Sequence, residues 1–164
     1  MGARAPVTMD TPAQLTTVEK AAFLIEVDLF RDVPSELLSE LAGRMEEEWH
    51  QPGDVLLEPD SEDVRLWVLL SGSVTATHGG KTLPALTRGD AFGLLASLGL
   101  PQHETYTAAQ ACRTLSVAPD EYLDAIADST AFAIANLRAL GRSLQARERI
   151  RMPEADPPAG GDTR

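Results

Sequence analysis

The side chains of this sequence that are capable of chemistry stand apart from one another. The three histidines, His50, His78 and His103, fall in different segments, and Cys112 is the only cysteine. Metal sites need several such ligands close together, often with a carboxylate. Ser71-Gly72-Ser73 has turn character and lacks the strand-to-helix context of a hydrolase nucleophile. No paired carboxylates stand out for acid–base work. We therefore predict that the protein is not an enzyme and holds no metal and no resident cofactor.

Composition excludes several classes of partner. The chain has 164 residues, a formal net charge of −11 and 43% hydrophobic residues, enough for one domain with a core of its own. Such an acidic chain opposes binding to a phosphate backbone or an anionic membrane, which needs a basic surface. Residues 1–13 lack the basic and apolar regions typical of a signal peptide, and no apolar run reaches membrane-spanning length. We expect a cytoplasmic protein with no nucleic-acid partner, no membrane insertion and no intrachain disulfide.

The N-terminal part reads as two helices. Thr16 and Glu19 form a capping box that begins the first one, with an apolar stripe at Val18, Ala21, Ala22 and Ile25. Pro34 suits the first turn of the second helix. The apolar residues of that helix recur at helical spacing at Leu37, Leu38, Leu41 and Met45, and Glu46 to Glu48 read as its solvated end.

The middle of the chain changes to short apolar runs separated by glycine turns. Six strands are predicted, at residues 54–58, 66–70, 73–77, 82–86, 105–109 and 111–117. Turn signals lie between them at residues 52–53, 71–72, 79–80 and 88–90. Many short strands at this spacing indicate an antiparallel β-roll of jelly-roll type. The predicted class is therefore α+β, mainly β, with the roll flanked by N-terminal helices and two C-terminal helices.

The longer C-terminal helix, from about Thr130 to Arg149, carries an apolar seam. Asp128 or Ser129 is its candidate cap. The seam consists of Phe132, Leu137, Leu140 and Leu144, and its leucines follow the three-and-four spacing of a coiled coil. Two interpretations stay open: the seam packs on the chain's own barrel, or it joins two copies as a dimer helix. We predict a flexible segment at 1–14, the domain at 15–150 and a disordered tail at 151–164.

Gly89-Asp90-Ala91-Phe92-Gly93, followed by Ala96 and the strand from Thr105, is the most informative segment. With Pro52-Gly53, Leu69 to Val74 and two flanking helices in the same order, the chain resembles the cyclic nucleotide-binding domain family, of catabolite activator and protein kinase A regulatory type. The resemblance covers roughly residues 17–149. It is nearest to the domains appended to bacterial transporter-like or helical-repeat proteins. We expect a stand-alone regulatory module without an output domain.

The resemblance also implies where a ligand binds. In the family, backbone N–H groups after Phe-Gly face the cyclic phosphate, a glutamate holds the ribose and an arginine pairs with the phosphate. This chain has Leu94 in place of the glutamate and Gln102 in place of the arginine, and Glu104 where a small residue belongs. Two like charges about 4 Å apart repel by roughly 4 kcal/mol at an effective dielectric near 20. The candidate ligand residues are Phe92, Gly93, Leu94, Leu95, Ala96, Gln102, His103, Glu104 and Thr105.

Other residues near this segment receive weaker roles. His103 is interpreted as an exposed loop histidine, although its protonation would add positive charge. Arg88 precedes a turn and Arg113 is expected to face solvent, so neither is taken as a phosphate ligand. Pro59 stands where the family usually has glycine, which predicts a reshaped loop beside the pocket.

Three functions follow from the sequence. The first is a regulatory or interaction module that has lost ordinary recognition of cyclic AMP and GMP and acts through protein contacts. The second is a sensor that binds a cyclic nucleotide or another small ligand in a different manner, with Leu94 and Leu95 favouring a less polar molecule. The third is a cupin-like metalloenzyme, which the isolated histidines disfavour.

Overall fold

The computed structural model describes residues 13–151 and contains two antiparallel sheets with flanking helices. The α-helices are α1 (Thr17–Leu24), α2 (Ser35–Arg44), α3 (Leu94–Ser97), α4 (Pro119–Asp128) and α5 (Thr130–Arg151), with a short 3-10 turn at Asp28–Phe30. The strands are β1 (Glu46–His50), β2 (Val55–Leu57), β3 (Leu66–Ser71), β4 (Val74–His78), β5 (Lys81–Thr82), β6 (Ala91–Phe92), β7 (Thr105–Ala108) and β8 (Cys112–Val117). The predicted fold class is confirmed. The flexible segment predicted for 1–14 and the tail predicted for 151–164 lie outside the described residues, except for 13, 14 and 151.

The two sheets form a roll with a core on each side of β3. One sheet has the strand order β1-β8-β3-β6 and the other β2-β7-β4-β5. Side chains of a strand point alternately to its two faces. Leu66, Val68 and Leu70 therefore pack on the helices, whereas Trp67 and Leu69 pack inside the roll. This double burial explains why β3 reads as a continuous apolar run.

The acidic run after α2 is a strand, so its prediction as a solvated helix end is wrong. Helix α2 ends at Arg44, and β1 pairs along its length with β8. Strand alternation turns Glu47 inward, where its carboxylate accepts from the Leu15 backbone N–H at 2.7 Å and pairs with Arg113. The run of three glutamates gives no hydrophobic signal for a strand. Its inward residue is Glu47, whose charge is paired inside the protein with Arg113. Short strand β6 was also missed, and the predicted strand 82–86 is reduced to β5.

The capping box of α1 is confirmed, but the predicted stripe is wrong. Thr16 and Glu19 exchange the two expected hydrogen bonds. The buried residues are Ala21, Phe23 and Leu24, while Val18 and Ile25 are exposed. The helix is turned by about one residue because Phe23 and Leu24 bury more apolar area than the predicted stripe would.

The buried residues of α2 and the cap of α5 agree with the prediction. Leu38, Leu41 and Met45 are buried. Ser129 caps α5, since its hydroxyl accepts from the Phe132 N–H at 3.2 Å. Cys112 is buried, and burial raises the pKa of its thiol. None of the helices between residues 13 and 151 combines the length and the apolar composition needed to cross a membrane.

Candidate functional site

A glycine turn connects β6 to α3. Strand β6 pairs with β3, and Gly93 follows it with a φ of 81°, a conformation that side-chain-bearing residues rarely adopt. A Cβ atom at Gly93 would lie 2.2 Å from the carbonyl oxygen of Arg65 and 3.0 Å from the Trp67 ring. This turn therefore requires glycine for two reasons, its backbone angle and the close approach of β3.

Three aromatic rings hold the turn from inside the roll. Phe92 stacks on Trp67 with ring centroids 5.4 Å apart and on Tyr106 with centroids 4.8 Å apart. Such stacked pairs stabilise a fold beyond the area they bury. The stack joins β3, β6 and β7, so both sheets fix the position of the turn.

Helix α3 and the chain after it form a compact return. The Ser97 N–H donates to the Gly93 carbonyl at 2.9 Å, and the Leu100 N–H donates to the Leu95 carbonyl at 2.9 Å. Gly99 has a φ of 72° and lets the chain reverse after the helix. Leu94 and Leu95, the first two helical residues, are respectively half-buried and exposed.

The loop that leads into β7 bonds largely to itself. The Gln102 side-chain amide donates to the Glu104 carbonyl oxygen, and the His103 N–H donates to the Glu104 carboxylate at 3.3 Å. The ring of His103 meets that of His78 edge to face at 6.1 Å. The amide of Gln102 is thus already engaged as a donor within its own loop.

Helix α5 forms the opposite wall of a groove of about 420 Å³ beside the turn. Ligand sites typically enclose about 300–1,000 Å³. The groove is lined by Ala91, Phe92, Gly93, Leu94, Leu95, Gln102, Glu104, Tyr106, Leu140, Ser143 and Leu144. Among these described lining residues Glu104 is the one with a charged side chain.

Arg142 fastens α5 to the N-terminal part of the domain. Its guanidinium lies 2.7 Å from the Asp32 carboxylate and donates to the Asp28 carbonyl at 2.9 Å. The hydrogen bond that Arg142 donates to the Asp32 carboxylate lowers the pKa of Asp32. These contacts tie the helix that carries one wall of the groove to the chain segment before α2.

The sequence profile described as "Cyclic nucleotide-binding domain" matches residues 47–129. This match spans about half of the chain and includes all eight described strands, apart from Glu46 at the start of β1. The chain belongs to the cyclic nucleotide-binding domain family. No curated protein sequence matches the chain.

Solved structures of the same fold include regulators from several organisms. The N-terminal domain of a transcriptional regulator from Streptomyces coelicolor A3(2) has a TM-score of 0.66 and 23% identity over 81% of this chain and 99% of its own. The sensor domain of the transcriptional regulator DNR from Pseudomonas aeruginosa has a TM-score of 0.67 and 19% identity, covering 86% and 97%. The regulatory domain of Toxoplasma gondii PKA with cAMP has a TM-score of 0.66 and 15% identity, covering 76% and 50%. This chain therefore spans about half the length of that Toxoplasma chain.

Most of the candidate ligand residues of this family member come together at the groove. Phe92, Gly93, Leu94, Leu95, Gln102 and Glu104 line it, whereas Ala96, His103 and Thr105 do not. Five lining residues were not predicted as part of a ligand site: Ala91, Tyr106, Leu140, Ser143 and Leu144. Tyr106 follows Thr105 in a predicted strand, so strand alternation offered a signal for it. Ser143 lies one helical turn after Leu140 in the predicted seam.

The seam predicted on α5 is divided between different surroundings. Phe132 is buried in the helical core with Ala135, whereas Leu137 and Leu144 are 67% and 61% exposed. Leu140 lies between the groove and an adjoining apolar cavity of about 240 Å³, which Leu137 also lines. The interpretation that the whole seam packs on the chain's own barrel is therefore wrong. The buried face is displaced because small Ala135 and Ala139 permit close approach.

Neither arginine considered earlier reaches the groove. The Arg88 guanidinium donates to the Leu70 carbonyl at 3.0 Å and lies 4.6 Å from the centre of the Phe23 ring. The expectation that Arg113 faces solvent is wrong, since its side chain is 18% exposed and pairs with buried Glu47. Their charges are used within the fold, where they join the helices and the roll.

In the loop with Pro59, the residue with a positive φ is Asp60, one position after the residue that replaces the family's glycine. Asp60 has a φ of 60° and is the only non-glycine residue with a positive φ among the described residues. Asp is one of the residue types that tolerate this conformation. The turn therefore forms without a glycine. Within residues 13–151, no group of three or more histidine, cysteine or acidic side chains is placed to hold a metal ion.

Proposed function

We propose that this protein is a regulatory module that keeps the cyclic nucleotide-binding fold, does not recognise cyclic AMP or GMP in the ordinary manner and acts through protein contacts. The observation that carries the proposal is the charge of the groove. Its described lining has a carboxylate, Glu104, and no cationic side chain. A cyclic phosphate would therefore meet repulsion where its binding needs a charge-assisted hydrogen bond.

The neutral donors in the groove do not replace that bond. The Gln102 amide already donates to the Glu104 carbonyl, and a neutral hydrogen bond contributes only about 1 kcal/mol net. Leu94, at the position where the resemblance predicted a glutamate, has no acceptor for a ribose hydroxyl. The changes act on sugar and phosphate together, which supports loss of recognition rather than a change in affinity alone.

The outward side chains of α5 and the residues after α3 support a role in protein contacts. Leu95, Leu100, Leu137 and Leu144 are all at least 39% exposed, and each belongs to or follows one of the two helices that bound the groove. Large exposed apolar side chains concentrated in one region mark interaction surfaces more often than scattered ones do. The partner is a second copy through α5 or another protein, and we place the module in the cytoplasm.

Restoring the missing groups tests the loss of recognition. We expect no saturable binding of cyclic AMP or cyclic GMP to the wild type by calorimetry at micromolar concentrations. The variant Leu94→Glu/Gln102→Arg/Glu104→Ala should gain binding. The matched control carries Leu95→Glu in place of Leu94→Glu, which keeps the charge and displaces the carboxylate by one residue. Binding by the wild type would overturn the proposal.

A second experiment addresses the protein contacts. Sedimentation of the purified protein should give a dimer, or a tagged protein should retain a stoichiometric partner from extract. Leu137→Gln/Leu144→Gln should abolish that association, while Val18→Gln, at an exposed position on α1, should not. Association that is absent in both measurements would count against action through protein contacts.

The groove also favours a second candidate function, a sensor for a different small ligand. Its volume of about 420 Å³ and its aromatic and leucine lining are features of a binding site. A thermal-shift screen would detect such a ligand, because binding to the folded state raises its stability.

A further inference from the structure

We infer that the groove between α3 and α5 takes a small apolar organic cation, such as an aryl-alkyl ammonium ion, in place of an anion. The inference rests on the second candidate function and names the class of ligand. It follows from three features of the groove: an aromatic wall, a leucine wall and one carboxylate.

The two apolar walls define the body of the ligand. Phe92 and Tyr106 stack at one side of the groove, and Leu140 and Leu144 of α5 lie at the other. Leu95 extends the apolar surface and is 39% exposed. An aromatic or branched aliphatic group between these walls would remove apolar surface from water on both of its faces.

The carboxylate defines the sign of the ligand's charge. Glu104 is half-buried, and its carboxylate accepts one hydrogen bond, from the His103 backbone N–H at 3.3 Å. A carboxylate has about four lone-pair sites, so acceptor capacity remains for an ammonium group. The Ser143 hydroxyl is a further acceptor of the groove lining.

The nearby cationic side chains that the structure describes do not cancel the negative charge of Glu104. His103 does not line the groove, and its ring lies against that of His78. Arg142, the cation nearest in sequence on α5, is bonded to Asp28 and Asp32. An anionic ligand would thus face a carboxylate that no cationic side chain of the described lining balances, whereas a cationic ligand would balance it.

A pair of probes with equal shape and opposite charge tests the inference. Binding of 3-phenylpropylammonium and 3-phenylpropionate is titrated by NMR at about pH 8, above the usual pKa of histidine. We expect the cation to bind at least about fivefold more tightly than the anion, the ratio that corresponds to one partly exposed ion pair.

Two variants locate the effect. Glu104→Gln should abolish the preference for the cation, and Glu62→Gln, the same charge change at an exposed position outside the groove, should preserve it. Leu144→Ser should weaken the binding of both probes to the same degree. Absence of binding, equal binding of the two wild-type probes or persistence of the preference in Glu104→Gln would overturn the inference. Binding of cyclic AMP in a parallel titration would instead overturn the proposed loss of nucleotide recognition, so the two failures are distinct.

Discussion

The cassette, residues 91–104, has two halves: the turn Ala91–Gly93 and the loop Leu94–Glu104, which includes helix α3. These halves are built under different constraints. The turn is enclosed: Phe92 is 3% exposed, and Gly93 lies against the Arg65 backbone and the Trp67 ring. The loop is open to the groove, with Leu95, Gly99 and Leu100 exposed. The Gln102 amide and the Glu104 carboxylate bond within the loop itself.

This difference teaches that the scaffold and the ligand-binding groups of the fold are separable. Replacement in the turn must disturb packing between β3, β6 and β7, whereas replacement in the loop changes the chemistry of the groove with little effect on the core. The residues that the resemblance marks as replaced, Leu94, Gln102 and Glu104, all lie in the loop. Their replacement is therefore compatible with an intact fold.

The largest effect is expected for Gly93→Ala, which breaks the turn. Its Cβ would lie 2.2 Å from the Arg65 carbonyl oxygen, and the φ of 81° adds backbone strain. We expect the free energy of unfolding to fall by about 4 kcal/mol in urea denaturation. Gly99→Ala is the matched control in the loop: its φ is 72°, but nothing lies within 4 Å of the added atom. A loss of about 1 kcal/mol is expected there, and equal losses in the two variants would refute the contrast.

A smaller effect is expected for Phe92→Leu. The substitution keeps an apolar side chain but removes both ring contacts, with Trp67 and with Tyr106. Each stacked pair contributes roughly 0.5–1.5 kcal/mol, so the free energy of unfolding should fall by about 2 kcal/mol. Leu95→Ala, at an exposed position of the loop, should cost clearly less. The comparison is settled by chemical denaturation of both variants under the same conditions.

Gln102→Ala should have a still smaller effect on stability. It removes the hydrogen bond from the side-chain amide to the Glu104 carbonyl, which is worth about 1 kcal/mol or less. Hydrogen exchange should report the change locally, with faster exchange between residues 100 and 105 and unchanged protection in β3 and β8. Faster exchange throughout β3 would mean that the loop is coupled to the core.

The smallest effect concerns the contact that holds α5 over both halves. The Arg142 guanidinium lowers the pKa of Asp32, so the ionised carboxylate is favoured in the folded state. Its contribution to stability is present above the unfolded pKa of aspartate, about 3.9, and is lost as pH falls through the lower folded value. Melting temperatures between about pH 5 and pH 2 should therefore fall less steeply in Arg142→Gln than in the wild type. Lys81→Gln, which removes a positive charge at an exposed position that does not act on Asp32, should follow the wild type.

Much of the fold was predictable because local patterns carried it. Thr16 and Glu19 specify the start of α1, and glycines mark the turns between strands. Strand β1 was not predictable from the hydrophobic pattern, because its buried residue Glu47 is charged and lies between two other glutamates. Its burial depends on Arg113, 66 residues away along the chain. Part of the site was predictable. The lining residues from the cassette followed from its motif, whereas the wall that α5 contributes did not.

By itself the sequence determined the roll, the position of the cassette and the identity of the groups at its ligand side. These depend on neighbouring residues, because turns, caps and short strands are local. Only the tertiary structure decided that Tyr106, Leu140 and Ser143 meet Leu94 and Glu104 across one groove. It also decided which face of α5 is buried, leaving Leu137 and Leu144 outward. A helix with apolar residues on more than one face has no local preference between them, and the shape of the surface it packs against makes the choice.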